Sequence, residues 1–161
     1  MENKKFPQRK SPRLKAYDYK TPNYYFVTIC ADQKKILFGE PMKVNEFGKI
    51  AEEALLKIPN HYPQVEVVKY VVMPNHVHVI LNLCNENTAL TTIVGSYKAY
   101  VTKLIRKNVP DIVVWQTSFH DHVIRSQAEF EKIWSYIDTN PVRWMDDCYF
   151  EDAQGNLTDT P

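Results

Sequence analysis

The order of patterned segments in this sequence predicts an α+β fold in which helices cover an antiparallel sheet. Three observations carry that expectation. Strand-like and helix-like segments follow one another as strand, helix, two strands, helix, strand, helix. Two Val-rich apolar runs, Val65–Met73 and His76–Leu83, are divided only by Pro74-Asn75, which reads as a pair of central strands joined by a tight turn. The helical segments carry apolar residues at three- and four-residue spacing on one face, as helices laid on a sheet require. This order makes the ferredoxin-like sandwich the leading candidate.

The first strand is read in Tyr24-Tyr25-Phe26-Val27-Thr28-Ile29-Cys30, aromatic and β-branched, after Thr21-Pro22-Asn23. Near Phe38-Gly39-Glu40-Pro41 the chain is expected to turn. Asn45 can then cap a helix in which Phe47, Ile50, Ala51, Ala54, Leu55 and Ile58 recur at helical spacing, ending at Pro59. After the central strand pair, residues 90–107 form a helix with Ile93, Tyr97, Tyr100, Val101, Leu104 and Ile105 on one face and Lys98, Lys103, Arg106 and Lys107 on the rest. Residues 119–124 suggest a further strand. Residues 127–139 form a last helix that packs Phe130, Ile133, Trp134 and Ile137 inward and stops at Asn140-Pro141.

Composition narrows the class. The 161 residues suit one domain, and 44% hydrophobic against 24% charged residues with only 4 Gly is a globular balance. No segment is apolar enough for a membrane span, and the polar N-terminus lacks the apolar core of a secretory signal, so a cytoplasmic address is expected. Cys30, Cys84 and Cys148 are odd in number and far apart, unlike a disulfide framework or a zinc site, and read as reduced packing residues. The net charge is only +1, but it is unevenly spread. Lys4, Lys5, Arg9, Lys10, Arg13 and Lys15 crowd the start, while Asp146, Asp147, Glu151, Asp152 and Asp159 crowd the end. The chain divides accordingly into a basic arm (1–20), a main domain (21–145) and a polar acidic tail (146–161).

Two short motifs point to chemistry. His76 and His78 alternate on a strand, so both imidazoles project from one face and can grip one cation. A His-x-His pair is also compatible with ordinary structural histidines. Tyr136 and Asn140 are four apart on a helix, which sets a phenol beside an amide oxygen. Should that face abut the histidine strand, Asn140 supplies an oxygen ligand and Tyr136 points at whatever the cation holds. Two nitrogens and one oxygen leave positions open for phosphate oxygens, and a cation there neutralises charge that grows in the transition state. A tyrosine hydroxyl, protonated at neutral pH, would lose its proton more easily near such an ion. Each residue alone has a bland alternative: a packed tyrosine, or an asparagine that ends a helix.

Several of these segments together resemble the HUH single-tyrosine transposases, most closely the REP-associated tyrosine transposases. They are Tyr24 to Cys30, Val71-Val72-Met73-Pro74-Asn75-His76-Val77-His78, Ser96-Tyr97-Lys98, Val114-Trp115-Gln116, His120-Asp121-His122-Val123-Ile124-Arg125, and Tyr136 through Asn140-Pro141 to Trp144. The resemblance spans residues 13–144. It implies a ferredoxin-like core, a divalent metal such as Mg²⁺ or Mn²⁺, and cleavage of single-stranded DNA near hairpins through a 5′-phosphotyrosine intermediate. It further implies that His76 and His78 are metal ligands, Asn140 the third ligand and Tyr136 the nucleophile. Relatives include dimers that share active sites and proteins that work as monomers, so a homodimer stays open.

Other residues fit a DNA partner. Lys98, Lys103 and Arg106 can track a phosphate backbone, and Tyr97 and Trp115 can stack on unpaired bases. His122 and Arg125 belong to a matching segment and are expected near the site. His120 and His122 alternate on a strand, which leaves a second metal pair or phosphate contacts open. The non-enzymatic alternative is a domesticated module that binds hairpin DNA without cutting. It needs the basic and aromatic surface but not the His76, His78 and Tyr136 constellation. A histidine-triad hydrolase is disfavoured because Ile80 stands where a third histidine is required.

Overall fold

In the computed structural model, the described residues are 14 and 16–147; the basic arm up to Arg13, Lys15, Cys148 and the tail from 149 onward lie outside them. Strand β1 (Asn23–Cys30) is followed by a two-residue ribbon, β2 (Gly39–Glu40) and β3 (Lys43–Val44). Helix α1 (Glu46–Leu56), the single-turn α2 (Ile58–His61), β4 (Val65–Met73) and β5 (His76–Leu83) come next. Helix α3 (Leu90–Ile105), β6 (His120–Ile124) and α4 (Gln127–Thr139) complete the set. The main sheet runs β4-β5-β1-β6 and every pairing in it is antiparallel. With α1 and α3 as crossovers, this is the ferredoxin-like arrangement expected from the sequence.

Alternation along each strand divides the side chains between two layers. Tyr25, Val27 and Ile29 of β1 and Val77, Val79, Leu81 and Leu83 of β5 face α1 and α3, where they join Ala51, Leu55, Ile93, Tyr97 and Val101 in the main core. The opposite face carries Phe26, Ile80 and Ile124, which pack with Val71 and with Phe130, Ile133 and Ile137 of α4. This second layer is thin. A β-bulge between Val67 and Lys69 sets the register that opposes Lys69 to Ile80, Val71 to His78 and Met73 to His76. Lys69 on that face holds α4 by an ion pair to Asp138 at 2.6 Å and sits 4.6 Å from the Trp134 ring.

Local signals act where expected. Asn45 caps α1 by accepting from the Gly48 N–H at 2.9 Å. At the start of α4, Ser126 accepts from the Glu129 N–H and the Glu129 carboxylate accepts from the Arg125 N–H, a capping box shifted by one residue because Glu129 reaches past the N-cap Ser126. Gly39 has φ +109°, and a Cβ there would come within 2.6 Å of the Asn45 nitrogen, so the turn into the ribbon needs glycine. Three expectations are corrected. Pro59 does not end the helical region but lies in the first turn of α2, where its missing N–H costs nothing. Tyr100 and Trp134 stay more than a third exposed instead of packing inward, because α3 and α4 each bury a narrower stripe than their sequence pattern offers. Of the cysteines described, Cys30 is buried and Cys84 is exposed.

Candidate active site

The histidine strand is fixed from its N-terminal end. The Asn75 carbonyl accepts from the Ala31 N–H at 2.8 Å, and the Pro74 carbonyl accepts from Leu37 and Phe38 at 2.9 and 3.0 Å. Both neighbouring segments therefore clamp the turn that leads into β5. Two residues apart on β5, His76 and His78 project to the α4 face, 0% and 1% exposed. Their rings are oriented by their outer nitrogens. His76 Nδ1 donates to Asn75 Oδ1 at 2.7 Å, and His78 Nδ1 is 2.8 Å from Thr28 Oγ1, which can accept in the same manner. Both Nε2 atoms face inward, toward each other, and with the proton on Nδ1 of each ring both offer a lone pair there.

Burial lowers the basicity of both imidazoles. For His76 desolvation comes first and the charge of His78 second, with Asn140 opposing in part, and the result is well below the usual imidazole value. For His78 burial alone brings it down to about 3. Both rings are therefore neutral at physiological pH, the form that binds a metal.

Helix α4 brings the rest. Asn140, its C-terminal cap, keeps helical backbone angles, so the four-residue relation to Tyr136 is preserved. The Tyr136 ring lies 5.3 Å from His78 and 6.1 Å from Phe26, edge-on to both, and is 37% exposed. Asn140 is buried, and its Oδ1 has no hydrogen-bond partner. One chain thus supplies His76, His78, Tyr136 and Asn140 to one place.

A further residue joins them. Asp147, assigned from sequence to the acidic tail, is buried with its Oδ2 3.8 Å from His76 Nε2, and it accepts a short hydrogen bond from Asn140 Nδ2. That bond turns the Asn140 amide so that its oxygen is the unsatisfied atom. The ligand atoms of His76, His78 and Asp147 lie within 4.8 Å of one another, and among the described residues no other group of three His, Cys, Asp or Glu does so. Trp144 lies against His76, ring centroids 5.9 Å apart. Nothing in the tail's composition marked Asp147. The only signal available was its place seven residues after Asn140, past the turn that Pro141 starts.

These residues fit a divalent cation. The two Nε2 atoms are 3.0 Å apart, and metal–nitrogen bonds near 2.1 Å at right angles would set ligands about 3.0 Å apart. A buried amide oxygen without a donor and a buried carboxylate complete a mixed N/O set that a divalent cation can take.

The other expected residues lie elsewhere. Helix α3 is on the opposite face of the sheet from α4, so Lys98, Lys103 and Arg106 stand away from the histidines. Lys98 Nζ donates to the Gln116 and Thr117 carbonyls at 2.7 and 3.3 Å, and Arg106 Nε donates to the Ile112 carbonyl at 3.1 Å. Tyr97 and Trp115 are not available for stacking on bases. They are 3% and 7% exposed and pack on each other, with Tyr97 donating to the Ala51 carbonyl and Trp115 to the Lys98 carbonyl. Apolar area placed these aromatics in the core. His122 lies on the α4 face of β6, opposite Phe26, and pairs with Glu129. Arg125 begins the capping box of α4.

Comparison with known proteins gives the family. The family described as transposase, IS200-like, matches residues 18–140. An uncharacterised protein of Haemophilus influenzae is 34% identical over 89% of this chain and 94% of its own. A candidate REP-associated tyrosine transposase of the same organism is 24% identical over 74% of this chain and 70% of its own. Among solved structures, a REP-associated tyrosine transposase bound to a REP hairpin superposes with a TM-score of 0.66 at 22% identity, covering 82% of this chain and 73% of that one. A candidate transposase of Deinococcus radiodurans gives 0.54 at 18% identity, over 79% and 95%. Fold is what the structural likenesses establish; the family match, over most of the chain, establishes more: this chain belongs to the IS200-like transposases.

Proposed function

We propose that this transposase is a metal-dependent endonuclease and strand transferase that cuts and rejoins single-stranded DNA near hairpins, with Tyr136 as nucleophile. The observation that carries the reading is the convergence, within one chain, of the Tyr136 ring 5.3 Å from His78 and a buried, donor-less Asn140 oxygen on the same helical face. A module that only binds hairpins needs neither. The hairpin partner is inferred from the likeness to the relative bound to a REP hairpin.

His76, His78 and Asn140, with Asp147 beside them, would hold Mg²⁺ or Mn²⁺, which when bound neutralises and orients a phosphate. The chain's own residues do the rest. Tyr136 Oη attacks phosphorus and forms the O–P bond as the bond to the 3′ oxygen breaks. The phenolic proton ends on that departing 3′ oxygen through solvent. A 5′-phosphotyrosine remains and conserves the bond energy, so an incoming 3′ hydroxyl can reverse the step and join strands without ATP. Thr28 and Asn75 keep the imidazoles oriented, and His122 and Arg125 stand at the other end of α4, where Glu129 engages both. Lys103 is assigned to the DNA backbone away from the cut, across the sheet, where Lys98 and Arg106 already donate to loop carbonyls. The test is capture of a covalent protein–DNA adduct that requires both the metal and Tyr136.

A further inference from the structure

We propose that Lys132 and Arg143 form a phosphate clamp that grips the single-stranded backbone on either side of Tyr136. The inference deepens the reading of Tyr136 as nucleophile and rests on it.

A cavity of about 400 Å³ opens along the C-terminal half of α4. Lys132, Tyr136 and Asn140 line it at four-residue spacing, one above another, and Arg143 lines it just beyond the end of the helix. The phenol therefore lies between two cations. Both are exposed, and among the described residues neither side chain is engaged in an ion pair or a hydrogen bond. Three cations of the neighbouring helices and strands are, by contrast, engaged. Lys69 is paired with Asp138, Lys98 with two carbonyls and Arg106 with one.

The groove also holds two carboxylates, but Asp147 is buried beside His76 and held by Asn140, so its exposed lining sets Asp146 alone against Lys132 and Arg143. A walled groove with two uncommitted cations and a nucleophile between them suits a ligand that carries negative charge at regular intervals and is narrow enough to enter. A single strand of DNA is such a ligand. The planar Arg143 fork matches two oxygens of one phosphate, while Lys132 acts as a point charge on its neighbour.

The test measures binding without cleavage. A fluorescein-labelled oligothymidylate is titrated, in chelator, with the full chain carrying Tyr136→Phe, across a series of salt concentrations. Each phosphate contact on a single strand contributes about 0.7 to the slope of log affinity against log salt. Lys132→Gln and Arg143→Gln should each lower the slope by about 0.7 and the pair by about 1.4, with unchanged melting temperature. Arg143→Lys should keep the slope while weakening binding several-fold. A double variant that binds with the parent slope overturns the clamp. Because no adduct is read, a chain that proves unable to cut DNA would refute the nucleophile and still leave this measurement decisive for the clamp.

Discussion

His76 and His78 present their Nε2 atoms to each other at 3.0 Å, while each outer nitrogen is held by a neighbour, Asn75 for one and Thr28 for the other. At that distance one ring can donate to the other in the metal-free chain, and a cation would take the place of that proton. The expected outcome is that Mn²⁺ binding, followed by calorimetry, disappears in His76→Ala and His78→Ala. Thr28→Val and Asn75→Ala, which touch only the far side of the rings, should weaken it about 10- to 100-fold. Full affinity in Thr28→Val would show that the orientation of His78 comes from packing alone.

The buried imidazoles also set an acid limit on the metal-free chain. Unfolded, each takes a proton near pH 6.5; folded, His78 does so only at about 3 and His76 well below its usual value, chiefly through burial. Their contribution is therefore intact above about pH 6.5 and is lost as pH falls toward 3, where the unfolded chain binds more protons. Urea unfolding in chelator should show stability falling by up to about 1.4 kcal/mol per pH unit for His78 across that window, with His76 adding to the fall below about pH 6.5. His78→Ala should flatten the dependence. A flat profile in the parent chain would mean the rings are protonated within the fold.

Helix α4 carries Tyr136 on a thin layer whose fully buried members are Ile80, Ile124 and Ile137. Ile137→Ala should cost about 2–5 kcal/mol in unfolding free energy, the range for a buried aliphatic cut to alanine. In amide hydrogen exchange, α4 should open before β1 and β5, whose other face lies in the main core. Exchange from α4 at the global rate would show that the two layers unfold as one.

The capping box at the start of α4 is a separate support. Ser126→Ala removes the acceptor for the Glu129 N–H and should cost about 1 kcal/mol by denaturant titration. An unchanged midpoint would leave Glu129, through Arg125, as the sufficient cap.

Sequence periodicity reached most of the fold because the elements that matter are long and clearly patterned. The β4–β5 pair and α4 were legible to the residue: Pro74-Asn75 can only turn, and Asn140-Pro141 can only stop a helix. Less visible was what depends on tertiary competition. Trp115 and Tyr97 look like base-stacking groups in a chain that binds nucleic acid, yet their area is worth more in the core beside Phe38. Lys98 looks like a phosphate contact until loop carbonyls take its ammonium. Within the candidate site, strand and helix periods alone paired His76 with His78 and Tyr136 with Asn140. Asp147 was hidden because its position follows from a tight turn after Pro141, and no repeat period runs through a turn.

The most direct measurement is a denaturing gel of the full chain incubated with hairpin-flanked single-stranded DNA and Mn²⁺, alongside Tyr136→Phe and a chelated control. A slow-migrating covalent protein–DNA band in the parent chain, absent in Tyr136→Phe and absent without metal, is the predicted result. Stable hairpin binding with no adduct under any of these conditions, or an adduct that survives Tyr136→Phe, would contradict it.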